Sequence, residues 1–239
     1  MRKISFILPA ILTIFLLSCK QIQGDPRILL VTGGHSFDTT AFYEFFFSVE
    51  GIEIDTISQP RANEFLTTDE GKKYDVYVFY DMWDRINESQ KQAYRELTDK
   101  GKGFLFLHHS LVSYQDWPEF KNIIGGQYHE PREGKDPALF SNYKHDIELE
   151  VKVIDPSHPV TKSMDSFTIL DEGYGNLDLN SNIHPLLSTR HHHCHPIVGW
   201  TNEYSNSKIV YLIFGHDKNA YQDEDFRQLI KNSVDWLGE

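Results

Sequence analysis

The pattern of apolar residues along the chain contains three short runs that each stop at glycine or histidine. These runs occupy residues 28–35, 103–109 and 208–217. Runs of β-branched and aromatic residues of this length predict strands buried on both faces, as in a parallel sheet covered by helices. In open α/β sheets, ligands bind at the carboxyl ends of such strands. The pattern therefore predicts a polar site at one edge of a parallel sheet.

The order of the predicted elements indicates the fold class. In the first half, predicted strands at 27–32, 52–57, 74–80 and 103–107 alternate with predicted helices at 39–49 and 87–100. This order is typical of a parallel sheet with right-handed crossovers. The second half is richer in strands, at 145–154, 167–170, 183–189, 196–200 and 208–214, and ends in an amphipathic helix at 225–237. We therefore predict an α/β fold, a flavodoxin-like three-layer α/β/α sandwich with an antiparallel insertion.

The first residues of the chain have the composition of an export signal. Arg2 and Lys3 precede an apolar stretch, residues 4–17, which is shorter than the roughly 20 residues that a membrane-spanning helix needs. The Leu-Leu-Ser-Cys segment at 16–19 resembles the bacterial lipobox, which implies cleavage before Cys19 and a lipid anchor on it. We expect a lipoprotein signal peptide at 1–18, a tether at 19–26, one domain at 27–239, and a cell-envelope position facing the periplasm. An ordinary signal peptide or an N-terminal anchor helix is the alternative.

Charge and cysteine content narrow the classes of partner. Removing residues 1–18 takes away two basic side chains and changes the formal net charge from −12 to −14. A nucleic-acid partner calls for a basic face, so this balance argues against one. The other cysteine is Cys194, and with Cys19 lipidated it has no partner for an internal disulfide. The sequence leaves the oligomeric state open.

Candidate chemistry is concentrated where the predicted buried strands end. These positions carry His35, His108, His109, His216 and Asp217. Gly33 and Gly34 allow the backbone to approach a ligand closely, but the third glycine of a dinucleotide fingerprint and the Gly-Lys-Ser/Thr of a phosphate-binding loop are missing from the sequence. Since consecutive strand residues face opposite sides, we expect one of the two adjacent histidines to point into the site. Ser110 lacks a nucleophile elbow, which disfavours covalent acyl chemistry.

Further candidates lie in the predicted loops of the second half. His129 follows a glycine corner, and the adjacent carboxylates of Asp171 and Glu172 are expected to diverge, so that one faces the pocket. Aromatic rings can stack on the apolar faces of sugars, and the candidates for this contact are Tyr128, Tyr174 and Trp200. The run at 191–195 would place His191, His193 and His195 on one face if it were extended, and such a face can bind zinc or copper. The run lies outside the predicted strand ends, which argues against a physiological metal site there.

Seven short motifs, taken together and in order, resemble the ThuA-like (trehalose-utilisation) family. They occupy residues 33–35, 106–108, 125–129, 157–160, 171–174, 196–200 and 214–217, and the resemblance spans 27–236. It implies a class I glutamine amidotransferase-like sandwich without the amidotransferase cysteine, and a link to the catabolism of disaccharides and their 3-keto derivatives. The site residues that it implies are His35, His108, His129, Asp171 or Glu172, Tyr174, Trp200, His216 and Asp217. Gly199 and the histidine run at 191–195 depart from the family pattern.

Three functions fit these observations. The first is an acid/base enzyme of the isomerase or lyase type acting on a disaccharide or 3-keto-glycoside, with His108 or His216 moving the proton and Asp171 or Glu172 as partner. The second is a metal-dependent hydrolase, in which rim histidines and Asp217 hold one divalent ion. The third is a sugar-binding module without catalysis. The expected partner is a small carbohydrate, and the expected cofactor is none or a divalent metal.

Overall fold

The structure is a computed structural model that describes residues 25–239. The predicted signal peptide and the predicted lipidation site at Cys19 lie outside the described residues. Within the described part, no helix has both the length and the apolar character needed to cross a bilayer.

The strands are β1 Arg27–Gly33, β2 Glu53–Ser58, β3 Val76–Asp81, β4 Gly103–Leu107, β5 Gly126–Gln127, β6 Asn142–Val153, β7 Phe167–Gly175, β8 Asp178–Leu179, β9 His184–Thr189, β10 Ile197–Tyr204 and β11 Ser207–Leu212. The α-helices are α1 Thr39–Phe47, α2 Arg61–Phe65, α3 Glu88–Asp99, α4 Pro118–Ile124, α5 Lys218–Tyr221 and α6 Glu224–Gly238.

Nine of the strands described between residues 25 and 239 form one mixed sheet. Its order is β2-β1-β3-β4-β11-β10-β9-β6-β7. Neighbours from β2 to β11 pair in parallel, and neighbours from β11 to β7 pair antiparallel. The predicted antiparallel insertion, which lies between β4 and β11 in the chain, is therefore an extension of the same sheet.

The centre of the sheet is buried on both faces, as the apolar runs predict. Every residue of β3 and β4 is buried, which requires packed side chains above and below the sheet. Helix α6 contacts β3, β4 and β11, while α3 and α4 also contact β11. These contacts confirm the predicted α/β class, and the arrangement is consistent with a flavodoxin-like sandwich.

Two helices show how local sequence signals fix the boundaries. Asn87 caps α3, because its side chain accepts from the Gln90 amide while the Gln90 side chain accepts from the Asn87 amide. Gly101 follows α3 with a φ of 72°, a left-handed backbone that glycine adopts at little cost. In α6, the predicted apolar stripe is buried at all five of its positions, Phe226, Leu229, Ile230, Val234 and Leu237. The stripe packs this helix on the sheet.

Candidate active site

A cavity of about 800 Å³ opens where β1, β4 and β11 end. His35, His108 and His216 all line it, although they come from distant parts of the chain. Tyr128, Glu172 and Tyr174 also line this cavity. The structure therefore brings six of the sequence-predicted site residues to one place.

Three of these side chains form a compact cluster, which we call the His108–Glu172–His216 cluster. The Oε2 atom of Glu172 lies 3.0 Å from His108 Nε2 and 3.2 Å from His216 Nδ1. The two ring nitrogens are 3.3 Å apart. His108 and Glu172 are buried and His216 is partly exposed. The three polar atoms thus form a nearly equilateral triangle at the cavity wall.

His108 is held in one orientation by its surroundings. It begins the 3₁₀ turn His108–Val112 directly after β4, and its φ is +49°, a left-handed value that is uncommon outside glycine. Its Nδ1 lies 2.7 Å from the Ile213 carbonyl oxygen. A carbonyl only accepts, so Nδ1 carries the proton and Nε2 presents a lone pair to the cluster when the ring is neutral. The Tyr174 hydroxyl lies 3.1 Å from the same Nε2.

Asp171 and Glu172 diverge, as expected for adjacent residues on a strand. Glu172 faces the cavity, whereas the buried Asp171 carboxylate accepts from the backbone amides of Gly215 at 2.8 Å and His216 at 3.0 Å. These bonds fasten β7, at the outer edge of the sheet, to the segment that follows β11. Asp171 is therefore a positioning residue for His216.

Asp171→Asn is expected to lower stability by roughly 1–3 kcal/mol, because an amide offers one acceptor oxygen where the carboxylate offers two to buried N–H groups. Turnover should fall about 10- to 100-fold at a temperature where the variant is folded, since His216 loses its support. Urea unfolding and initial rates measure the two effects. Asp165→Asn, at an exposed site, is the matched control. Equal activity of Asp171→Asn and the control would contradict the positioning role.

The sequence interpretation missed His145, which lies beside the cluster. Between Lys144 and Ile147 the β6–β7 register shifts, so that two residues of β6 stand opposite Glu172 alone. This is a β-bulge, a feature that re-aims side chains next to functional sites. His145 Nδ1 lies 3.0 Å from Glu172 Oε1 and occupies the second carboxylate oxygen. The run HDIELEV predicts a strand but gives no local signal for the bulge.

Electrostatics favour a charged cluster and neutral flanking histidines. Burial opposes ionisation of Glu172, but its interaction with His108 and the hydrogen bond from His216 outweigh it and hold the pKa of that carboxyl well below its ordinary value. The same bond to Glu172 raises the pKa of His216. Partial desolvation in the cavity lowers the pKa of His35, which is otherwise exposed, and full burial lowers the pKa of His109. His35 and His109 are therefore neutral at neutral pH.

Three other sequence-predicted residues lie away from the cavity. Trp200 is 0% exposed in the core, and its indole N–H donates to the Ile124 carbonyl, so the expectation that it stacks on a sugar is wrong. His129 lines a separate pocket and its Nε2 lies 3.0 Å from Asp178 Oδ2. Asp217 caps the short helix α5 by accepting from the Asn219 amide. The polar groups of all three are already engaged.

Gly34 does not line the cavity but shapes the loop that carries His35. Its φ is +84°, and a Cβ there would overlap with the Met82 carbonyl oxygen. Glycine is required at this position because the backbone of the β1–α1 loop packs directly on the backbone that follows β3. Its effect on the site is thus exerted through the position of His35.

The histidine run between β9 and β10 forms a turn. Since the segment is not extended, the alternation that would align His191, His193 and His195 does not apply. The Ile197 amide donates to His195 Nδ1, which occupies one ligand atom of the expected set. Within residues 25–239, the group whose ligand atoms converge is His108, Glu172 and His216.

Comparison with known proteins places the chain in a family. The family model described as trehalose utilisation, ThuA, matches residues 27–237. The chain belongs to the ThuA family. Among solved structures, this ThuA chain is similar to a ThuA-like protein of Parabacteroides merdae, with 19% sequence identity and a TM-score of 0.74. The match covers 89% of this chain and 90% of the Parabacteroides chain. A ThuA-like protein of Bacteroides uniformis has 18% sequence identity and a TM-score of 0.68, and the match covers 91% of this chain and 93% of that one. No curated protein matches the chain.

The structural likeness shows the fold, and the family description connects the chain with carbohydrate utilisation. In this ThuA chain, a further cavity residue, Tyr143, was not singled out from the sequence. Tyr143 is 58% exposed and its ring lies 5.0 Å from that of His145. His109, a candidate from the sequence, lies in the cavity wall, but its Nε2 is buried and has no hydrogen-bond partner among the described residues. The exposed ring of Tyr143 therefore offers a contact to the apolar face of a ligand.

Proposed function

We propose that this ThuA protein is an enzyme that acts on a disaccharide or a 3-keto-glycoside, by isomerisation or elimination next to a carbonyl. The observation that carries the proposal is the buried His108–Glu172–His216 cluster in the wall of a cavity of about 800 Å³. Cavities of roughly 300–1,000 Å³ with a few convergent polar groups are typical of small-molecule sites. The family description supplies the class of ligand, a carbohydrate.

The proposed chemistry needs a proton acceptor and a group that stabilises charge on the substrate oxygen. His108 and His216 are both engaged with Glu172, so we assign the proton transfer to His35. The pKa of His35, which partial desolvation in the cavity lowers, keeps the ring neutral and able to accept a proton at neutral pH. His216, whose pKa is raised by Glu172, donates to the oxygen on which negative charge develops. In an isomerisation His35 returns the proton to the neighbouring carbon; in an elimination the glycosidic oxygen leaves with the electron pair of its bond to carbon and takes up this proton.

The aromatic wall favours a sugar as the ligand. The exposed ring of Tyr143 at the cavity offers a flat surface for the apolar face of a pyranose. Asn142 and Glu130 line the same cavity and carry polar groups that can hydrogen-bond to a hydroxyl group. An apolar platform beside polar groups suits an amphipathic ligand better than a purely apolar or a purely anionic one.

We also propose that the protein is a lipoprotein of the cell envelope, attached through Cys19 and facing the periplasm. The lipobox-like residues 16–19 support this proposal. Fractionation of cells that express the wild type and Cys19→Ala tests it. The wild type should sediment with membranes, and the variant should be released from them; equal membrane association of both would contradict the anchor.

The test of the enzymatic proposal is incubation with trehalose and a panel of 3-keto-disaccharides, followed by NMR of the products. His35→Ala should reduce the rate by about 10²- to 10⁴-fold, as removal of a general base does. His184→Ala is the control, because this exposed histidine pairs with Asp155 outside the cavity. Calorimetric binding of these sugars without conversion of any would contradict the enzyme and indicate a binding module.

A further inference from the structure

We infer that the His108–Glu172–His216 cluster binds one divalent transition-metal ion, with His108 Nε2, Glu172 Oε2 and His216 Nδ1 as its ligands. Two imidazoles and one carboxylate form a ligand set used by catalytic zinc and by non-haem iron. Imidazole nitrogen and carboxylate oxygen are both ordinary ligands of zinc, so zinc is the ion that we expect. The inference deepens the proposed function, and only the class of substrate bound to the ion rests on that function.

The spacing of the three atoms matches a metal site. Ligands about 2.0–2.2 Å from zinc lie roughly 3.0–3.4 Å from one another in tetrahedral or octahedral geometry. The three separations in the cluster are 3.0, 3.2 and 3.3 Å. An ion just above the plane of this triangle would reach all three atoms without movement of the backbone.

The tautomer of His108 is the one that a metal ligand needs. Its Nδ1 proton is committed to the Ile213 carbonyl, so the neutral ring has its lone pair on Nε2, which lies 3.0 Å from Glu172 Oε2. Without an ion, donors such as the Tyr174 hydroxyl, 3.1 Å from Nε2, can hold these atoms together. A cation would be bound by Nε2, Oε2 and the deprotonated Nδ1 of His216 at the same time.

Each ligand is oriented from behind, as is typical of metal centres. The Ile213 carbonyl accepts from His108 Nδ1, and His145 Nδ1 lies 3.0 Å from the outer oxygen of Glu172. Asp171 holds the backbone amide of His216 at 3.0 Å. The Ile213 carbonyl thus orients the His108 ring, His145 contacts the Glu172 carboxylate, and Asp171 fixes the backbone from which the His216 ring projects.

The free side of the triangle determines what the ion would bind. Three protein ligands leave at least one coordination position open, as in catalytic zinc sites. All three residues line the cavity, so that position faces the space assigned to the substrate. The class of ligand that fits this position is a sugar oxygen, either a keto group or a hydroxyl.

The experiment measures metal content and affinity in the untagged full chain, stripped with chelator and titrated with ZnCl₂ or CoCl₂. We expect one ion per chain by elemental mass spectrometry, and visible absorption bands for the cobalt form. Glu172→Gln, which keeps the shape of the side chain, and His216→Ala should both lose stoichiometric binding. His145→Ala should weaken binding about 10- to 100-fold, as loss of an outer hydrogen bond does. His193→Ala, in the histidine run, is the control and should bind as the wild type does.

Two results would overturn the inference. One is the failure of the wild-type chain to take up a stoichiometric ion. The other is binding that Glu172→Gln retains and that His193→Ala loses, because the ion would then sit on the histidine run. The outcome is separable from that of the proposed function: an ion bound at the cluster in a chain that converts no sugar supports the metal site and contradicts the enzyme. Sugar turnover by a chain that binds no ion supports the enzyme and contradicts the metal site.

Discussion

Glu172→Gln is expected to reduce turnover of a 3-keto-disaccharide on the order of a thousandfold, a loss typical of removing a central electrostatic or proton-transfer group. The amide keeps the volume of the side chain but loses the charge that both His108 and His216 face. It also places an NH₂ group in place of one of the two carboxylate oxygens, which lie 3.0 Å from His145 Nδ1 and from His108 Nε2. The measurement is the steady-state rate by NMR, with KM determined separately so that binding and catalysis are distinguished.

The matched control for this prediction is Glu148→Gln. Glu148 is an exposed carboxylate on β6, close to the bulge in sequence, and it lines no part of the cavity. Both variants remove one negative charge and add the same amide. A rate for Glu172→Gln within tenfold of that for Glu148→Gln would contradict a central role of Glu172. Circular dichroism of both variants shows whether the fold is retained.

The half of the site that follows the parallel strands was predictable because its signals are local. A strand buried on both faces is written as a continuous apolar run, and its end is marked by glycine or a polar residue. His35, His108 and His216 each follow such a run, and the carboxyl ends of parallel strands lie at one edge of the sheet. The divergence of Asp171 from Glu172 was equally predictable, because it depends only on the two-residue period of a strand.

The other half depends on contacts that no local pattern records. His145 reaches Glu172 through a bulge that inserts one extra residue in β6, and the run around it alternates like an ordinary strand. The sequence around Trp200 is equally compatible with a position at the rim of the site. In the structure its ring stacks on that of Tyr211 inside the core, with the ring centroids 4.2 Å apart. The indole N–H finds its acceptor on Ile124, in helix α4, which the sequence did not locate next to it. Each outcome is set by tertiary packing.

The two halves of the site meet because β7, at the antiparallel edge of the sheet, contacts the segment that follows the parallel strand β11. Strand β7 is four positions from β11 in the sheet order, and yet its Asp171 accepts from the amides of Gly215 and His216 just beyond β11. The parallel strands supply the imidazoles, and β7 supplies the carboxylate on which they converge. Assembly of the candidate site therefore depends on the packing of the insertion against the segment after β11 as well as on the core sheet.

Gly34→Ala is expected to destabilise the protein by roughly 2–4 kcal/mol, combining a left-handed backbone cost with a steric overlap. The added Cβ would overlap with the Met82 carbonyl oxygen. That backbone cannot simply retreat, because the Met82 amide donates to the Gly33 carbonyl at 2.9 Å and joins the ends of β1 and β3. Relief must come from the loop that carries His35, so turnover should also fall on the order of 100-fold.

Gly134→Ala separates the overlap from the backbone cost. Gly134 has a φ of +75°, close to that of Gly34, but a Cβ there has no atom within 4 Å. This variant should lose only about 1–2 kcal/mol from the left-handed conformation and keep its full turnover. Denaturant unfolding and initial rates of both variants give the comparison. If the two alanine variants lose equal stability and equal activity, the contact with Met82 does not position His35, and the β1–α1 loop adjusts without moving the proposed base.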